Sequence, residues 1–84
     1  MFLFQISQKL IYMDDSENNL KLFGKNLEKI KKTKKMSYRR IAANCDLEHS
    51  DIKRYVDGKI NPTLLSLLDL AKGLGIHPKE LLDF

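Results

Sequence analysis

The 84-residue sequence contains few of the residues that support covalent or metal chemistry. Cys45 is its single cysteine, and its two histidines are His49 and His77. One cysteine excludes an intrachain disulfide framework and a thiolate metal site, and it is typical of a cytoplasmic protein. Cys45 occupies an apolar position and is expected to act as a small buried hydrophobe. The two histidines lie far apart without carboxylates at metal-ligand spacing, so we expect no metal and no cofactor.

Signatures of catalysis and of membrane insertion are also missing. The sequence has no glycine-rich phosphate loop, nucleophile elbow or pair of catalytic carboxylates. Residues 1–13, MFLFQISQKLIYM, are apolar but too short to span a bilayer, and they lack the basic start and cleavage site of a signal peptide. We therefore expect a single small cytoplasmic domain that is not an enzyme.

Positive charge is concentrated in one part of the chain. The formal net charge is +4, and nine of the 15 Lys and Arg residues fall within residues 21–45, where Glu28 is the single acid. On a folded surface such a block forms a positive face that favours an anionic partner. Nucleic acid is favoured over a membrane surface, because the apolar helix faces are needed for the core.

The apolar spacing predicts helices. Leu20, Phe23, Leu27 and Ile30 form one stripe of a helix over about residues 20–32. Residues 37–58, SYRRIAANCDLEHSDIKRYVDG, divide at Asp46 into two short amphipathic halves. Helices this short are marginal alone and must pack on each other and on a larger neighbour. Two short helices joined by a tight turn are typical of the helix-turn-helix unit.

Local signals set the expected ends of these two helices. Ser37 is a good N-cap, with Met36 before it placed to pack over the helix start. The tight turn is expected to need a positive φ angle at Asp46, which tolerates that region better than most residues. Glu48 stands at the capping position of the second helix, and Gly58 is expected to end it.

Two further helices complete the predicted domain. Thr63 caps a helix that runs to Leu74 and is closed by Gly75, and His77-Pro78 opens a short last helix. The sequence thus predicts an all-α, compact five-helix domain over residues 20–84, preceded by an N-terminal arm or strand over residues 1–19.

The arm has two open interpretations. Its weak alternation is typical of an extended segment that pairs with a second subunit and hides apolar side chains. Alternatively, translation begins at Met13 and residues 1–12 are not part of the protein. The candidate dimerisation surfaces are Phe2, Leu3, Phe4, Ile6 and residues 10–13 on one side, and Leu81, Leu82 and Phe84 on the other.

From Leu20 to Phe84 the chain resembles the phage-repressor-like (Cro/repressor, xenobiotic-response-element) helix-turn-helix family. The resemblance rests on an ordered series of motifs: the helix-turn-helix stretch with its small Ala42, the Asp57-Gly58-Lys59 turn, and then Asn61-Pro62-Thr63, LLDLAKGLGI and PKELL. It implies a DNA-binding transcriptional repressor that acts as a homodimer on a palindromic double-stranded operator. The recognition helix would be residues 49–56.

The family's binding positions map onto this sequence one by one. The base-facing positions match His49, Ser50, Asp51 and Arg54. The phosphate-facing positions match Ser37, Tyr38, Lys53, Lys59 and Asn61. Arg39 and Arg40 flank the helix start, and at least one of them is expected to reach the DNA backbone.

The chemistry of these side chains fits groove reading. Arg54 can donate two hydrogen bonds to guanine O6 and N7, while His49 and Ser50 suit several bases. Asp51 can accept from cytosine N4, but it could equally stabilise the N-terminus of its own helix.

The chain departs from the family pattern at three positions, and one of them is Asp46, which stands where the family has the glycine of the turn. Tyr38 stands where many members have a Gln that bridges phosphate and recognition helix. Val56 replaces a Glu that pairs with a basic residue, so we expect Val56 in the core and Lys31 without a partner.

A second function is compatible with the same fold. Asp46, Glu48, Asp51 and Asp57 gather acidic charge on and around the recognition helix. This favours the alternative hypothesis of a protein-interaction module, such as an antitoxin-like or anti-regulator partner.

Overall fold

A computed structural model describes residues 16–84 as helices and loops. The elements are α1 (Ser16–Thr33), α2 (Tyr38–Ala43), α3 (His49–Val56), α4 (Leu64–Leu74) and a C-terminal 3₁₀ helix (Pro78–Leu82). The all-α prediction is confirmed, and no strand occurs in this part of the chain. The count of five α-helices is wrong, because the last element is a five-residue 3₁₀ turn. Its backbone bonds span three residues, such as Glu80 N–H to His77 O at 3.0 Å.

The first helix begins earlier than its apolar stripe indicated. It starts at Ser16, so residues 16–19 belong to α1 and not to an arm. The remainder of the predicted arm, with its proposed dimerisation strand and the alternative start at Met13, lies outside the described residues. None of the helices in residues 16–84 is both long and apolar enough to cross a membrane.

The core forms where all five elements meet. α1 packs on α3 and on the 3₁₀ helix, α2 packs on α3 and α4, and α4 packs on the 3₁₀ helix. Each large apolar side chain buried there contributes about 1.5–3 kcal/mol. The buried side chains are Phe23, Leu27, Ile41, Ile52, Tyr55, Leu70, Ala71, Leu74 and Leu81.

Most of the predicted helix caps are confirmed. Ser37 Oγ accepts a hydrogen bond from the Arg40 amide at 3.1 Å, and Thr63 Oγ1 accepts one from the Ser66 amide at 3.1 Å. His77 Nδ1 accepts from the Lys79 amide at 3.1 Å, while the His77 amide donates to Glu80 Oε2 at 3.2 Å. These contacts satisfy amides that a helix start leaves without an internal partner.

The predicted positive φ angle at Asp46 is wrong. Within residues 16–84, Lys35 is the non-glycine residue with a positive φ angle, at 54°. α2 ends at Ala43, and residues 44–48 make the connection to α3. Because the chain changes direction over five residues, the turn needs no left-handed residue. Asn44 also secures it, since its side-chain amide donates to Gly73 O at 3.3 Å.

Three helices end in the same way, but only two of them use glycine. Gly58 and Gly75 both adopt φ 70° after α3 and α4. After α1 this role falls to Lys35, and the next amide, Met36 N–H, donates to Lys31 O at 3.1 Å. A side chain with a Cβ pays about 1–2 kcal/mol to adopt this conformation, whereas glycine adopts it without steric cost.

Replacing Lys35 with glycine is therefore expected to raise the free energy of unfolding by about 0.5–1 kcal/mol, the relief of strain minus the entropy of a freer unfolded chain. Urea denaturation followed by circular dichroism measures the change. Lys34→Gly is the matched control and should lower the free energy of unfolding, because the φ angle of Lys34 is not positive. Equal effects of the two substitutions would contradict the assigned strain.

Candidate nucleic-acid interface

Helix α3 is held with one face in the core and the other in solvent. Ile52 and Tyr55 are buried, and Leu47 and Val56 are half-buried against the core, as predicted. The outward face presents His49, Ser50 and Arg54, all exposed. Asp51 is half-buried at the edge of this face. The structure thus brings the four predicted base-facing residues onto the accessible side of one helix.

Two ion pairs run along this outward face. Arg54 Nη1 lies 3.4 Å from Asp51 Oδ1, three residues earlier in the chain. Lys53 Nζ lies 2.9 Å and 3.0 Å from the two carboxylate oxygens of Asp57, four residues later. Both spacings place side chains next to each other on a helix. Two of the four acidic residues around α3 are therefore paired with basic residues of the same helix.

The side chain of Tyr38 contacts α1. Its hydroxyl donates a hydrogen bond of 2.9 Å to Glu28 Oε2. Burial, and then the bond to Glu28 and the negative charges of Glu28 and Asp57, raise the pKa of Tyr38 to about 12. The hydroxyl therefore remains a proton donor throughout the neutral range.

The expectation that Lys31 has no partner is wrong. Its ammonium group lies 4.5 Å from the centre of the Tyr38 ring and 3.8 Å from Glu28 Oε1. Glu28 also lies 3.8 Å from Lys32 Nζ. Glu28, the single acid of the basic block, thus contacts Lys31 and Lys32 of α1 and Tyr38 at the start of α2. Glu28 and Tyr38 together give Lys31 the partner that Val56 cannot provide.

The other predicted phosphate contacts differ in their surroundings. Arg39, Arg40, Lys59 and Asn61 have exposed side chains. The three basic ones have no ion-pair partner among residues 16–84. The exposed Ser37 hydroxyl already caps α2. Lys53 and Tyr38 can contact phosphate only by sharing or exchanging their present partners.

Two of the contacts that the sequence analysis did not predict differ in whether the sequence could have indicated them. Lys53 and Asp57 are four residues apart on one helix, so the pattern alone could have indicated their pair. Glu28 and Tyr38 belong to different helices, and no spacing rule connects them. Only the packing of α1 against the start of α2 brings these two side chains together.

Within residues 16–84, the structure shows no arrangement of side chains for metal binding, and the thiol of Cys45 is hydrogen-bonded. No group of three or more His, Cys, Asp or Glu side chains that could hold a metal occurs within residues 16–84. Cys45 is half-buried rather than buried, and its thiol donates to Ile41 O at 3.4 Å.

The fold and this outward face define a DNA-binding protein of the helix-turn-helix, repressor-like class. The chain is 38% identical over 69 residues to the control protein C.BamHI of Bacillus amyloliquefaciens. The alignment covers 80% of this chain and 85% of that protein. The crystal structure of the restriction-modification controller protein C.AhdI from Aeromonas hydrophila superposes with a TM-score of 0.72 at 31% identity, covering 76% of this chain and 97% of the other. No protein-family profile matches the chain.

The chain belongs to the control-protein family of helix-turn-helix regulators. It is a DNA-binding transcriptional regulator and not an enzyme. The family resemblance and the regulatory function predicted from the sequence are both confirmed by these relatives.

Proposed function

We propose that this protein binds an operator of a restriction-modification operon and regulates its transcription, with α3 in the major groove. The observation that carries the proposal is the outward face of α3, on a fold shared with a restriction-modification controller. A transcriptional regulator must be in the compartment that contains its operator DNA, and this agrees with the cytoplasmic location expected from the sequence. Repression, rather than activation, stays a prediction from the sequence.

In the proposed complex, His49, Ser50 and Arg54 face the base edges. The exposed Arg39, Arg40 and Lys59 supply charge to phosphates without first breaking an ion pair within residues 16–84. Ser37 and Asn61 add neutral donors. Tyr38 and Lys53 contact the backbone only by sharing or exchanging Glu28 and Asp57, so we expect them to contribute less than Lys59.

We also propose a homodimer that contacts a palindromic operator, with half-sites one helical turn, about 34 Å, apart. Its interface is the solvent face of α4, where Leu64 is 71%, Leu65 72% and Leu68 43% exposed. Their spacing of three and four residues places the side chains on one face, and such contiguous apolar surface is unusual on a monomer. The predicted C-terminal surface is reduced, because Leu81 is fully buried and only Leu82 and Phe84 are exposed.

The alternative of a protein-interaction module loses half of the acidic charge that favoured it. Asp51 and Asp57 each face a basic side chain of α3, so their charges are balanced within the helix. Of the four acidic residues, only Asp46 and Glu48 carry charge that is not balanced by an ion pair within residues 16–84.

Arg54→Ala tests the proposed function. We expect the substitution to cost about 1–3 kcal/mol of binding free energy at particular base pairs, since a bidentate contact to guanine is lost. Lys59→Ala should weaken binding to all duplexes alike and reduce the salt slope by about one. Titration of duplexes selected from a randomised library, at several salt concentrations, measures both effects.

The control for the lysine substitution is Lys79→Ala, which removes the same charge from the exposed surface of the 3₁₀ helix. It should leave both the affinity and the salt slope nearly unchanged. If Arg54→Ala lowered affinity equally for every duplex, Arg54 would be a phosphate contact and the proposed reading face would be wrong.

A further inference from the structure

We infer that Asp51 is a positioning residue, which holds the Arg54 guanidinium for base reading and does not read a base itself. The inference rests on the proposed function, since it concerns how the outward face of α3 reads DNA. It assigns base specificity to Asp51 and Arg54 as a pair, whereas the sequence predicts that each of them contacts a base separately.

The geometry of α3 supports the assignment. Asp51 Oδ1 lies 3.4 Å from Arg54 Nη1, and the two side chains are 38% and 60% exposed. Asp51 is one turn closer to the helix start than Arg54, so the contact draws the guanidinium towards the N-terminal end of α3. In helix-turn-helix proteins, the N-terminal residues of the recognition helix contact base edges. A guanidinium has five N–H donors, so contact with one carboxylate oxygen leaves donors free for guanine.

The second ion pair of α3 makes the arrangement asymmetric. Both carboxylate oxygens of Asp57 hold Lys53 Nζ towards the C-terminal end of the helix. Arg54 is the basic side chain of α3 that is directed towards the helix start. Of the Lys and Arg side chains of α3, only Arg54 is therefore directed to the bases near the N-terminal end of the helix.

The two other roles for Asp51 explain less of this arrangement. A carboxylate that only stabilises the helix start needs no basic residue one turn later. A carboxylate that reads cytosine must leave Arg54 or share its oxygens, and an unpaired negative charge in the groove is repelled by phosphates. When Asp51 holds Arg54, the arginine side chain is already restricted before it binds DNA, so less rotamer freedom is lost on binding. The guanidinium also offsets the negative charge of Asp51.

The test compares two duplexes: the one that the wild-type protein selects from a randomised library, and the same duplex changed at the base pair where Arg54→Ala loses discrimination. The ratio of the two affinities is measured for each variant, which cancels any charge effect common to all DNA. We expect Asp51→Ala to reduce this ratio about three- to tenfold, a coupling typical of contacting residues. In an Arg54→Ala background, Asp51→Ala should leave the ratio unchanged.

A conservative variant and a charge control sharpen the result. Asp51→Glu keeps a carboxylate within reach of Arg54 and should retain most of the discrimination. Asp83→Ala removes an exposed negative charge outside the helix-turn-helix and should not change the ratio. Urea unfolding of each variant confirms that α3 is intact.

The inference is overturned if Asp51→Ala acts at a base pair of its own, or if its effect is as large without Arg54 as with it. An Arg54→Ala variant with no position-specific loss would instead refute the proposed reading face. The two failures are therefore distinguishable.

Discussion

Replacing Gly24 with alanine is expected to lower the free energy of unfolding by about 3 kcal/mol or more, at the upper end of what overpacking costs. α1 contacts the C-terminal end of α3 at this residue. A Cβ atom there would overlap Val56 O and lie 2.8 Å from Tyr55 O. Both obstacles are backbone atoms, so no side-chain rotation can relieve the contact and the helices must move apart. Thermal or urea denaturation measures the loss.

The sign of this effect makes the test sharp. On a solvated helix the same substitution would gain about 1 kcal/mol, because alanine has the higher helix propensity. Lys25→Ala, at the adjacent exposed position, is the control and should change the free energy of unfolding by less than about 0.5 kcal/mol. A stable Gly24→Ala protein would show that α1 and α3 are not in backbone contact. Separating these helices also displaces Arg54, so DNA affinity should fall with stability.

Replacing Leu65 with lysine is expected to convert the proposed dimer to a monomer and to reduce operator affinity about 100-fold or more. Leu65 is 72% exposed, so the substitution places a charge in the proposed interface and removes no core contact. In a dimer, binding of the second half-site is effectively intramolecular, and a monomer loses this gain of about 10²–10⁴. Sedimentation velocity measures the oligomeric state, and titration of the selected duplex measures the affinity.

Leu82→Lys separates the two candidate surfaces. Leu82 is 59% exposed on the 3₁₀ helix and belongs to the dimer surface predicted from the sequence. The α4 interface requires that Leu65→Lys dissociates the dimer and that Leu82→Lys does not. The reverse result would move the interface to the C-terminal end of the chain.

Local signals predicted much of the fold correctly. Ser37, Thr63, Gly58 and Gly75 act as caps and helix ends, because each effect depends on a few neighbouring residues. The apolar spacing also identified the buried side of α3. These features could be predicted because they need no knowledge of what lies on the other side of the core.

Two features that the sequence did not predict depend on residues further away in the chain. The turn at Asp46 is secured in part by a bond from Asn44 to Gly73, which is 29 residues distant. Leu64 and Leu68 of α4 are apolar but exposed, because the core reaches only the face of this helix that carries Leu70 and Leu74. Periodicity identifies an apolar side chain, and only the neighbouring helices decide whether it is buried.

The sequence by itself therefore determined the class of this protein: short helices with their caps, a basic block, and an ordered set of helix-turn-helix residues. Tertiary structure alone decided three further features. It brought Glu28 and Tyr38 into contact between α1 and α2, required glycine at position 24, and left Leu64, Leu65 and Leu68 of α4 exposed to solvent. Local propensity acts over about one helical turn, whereas these features arise where segments distant in the chain meet.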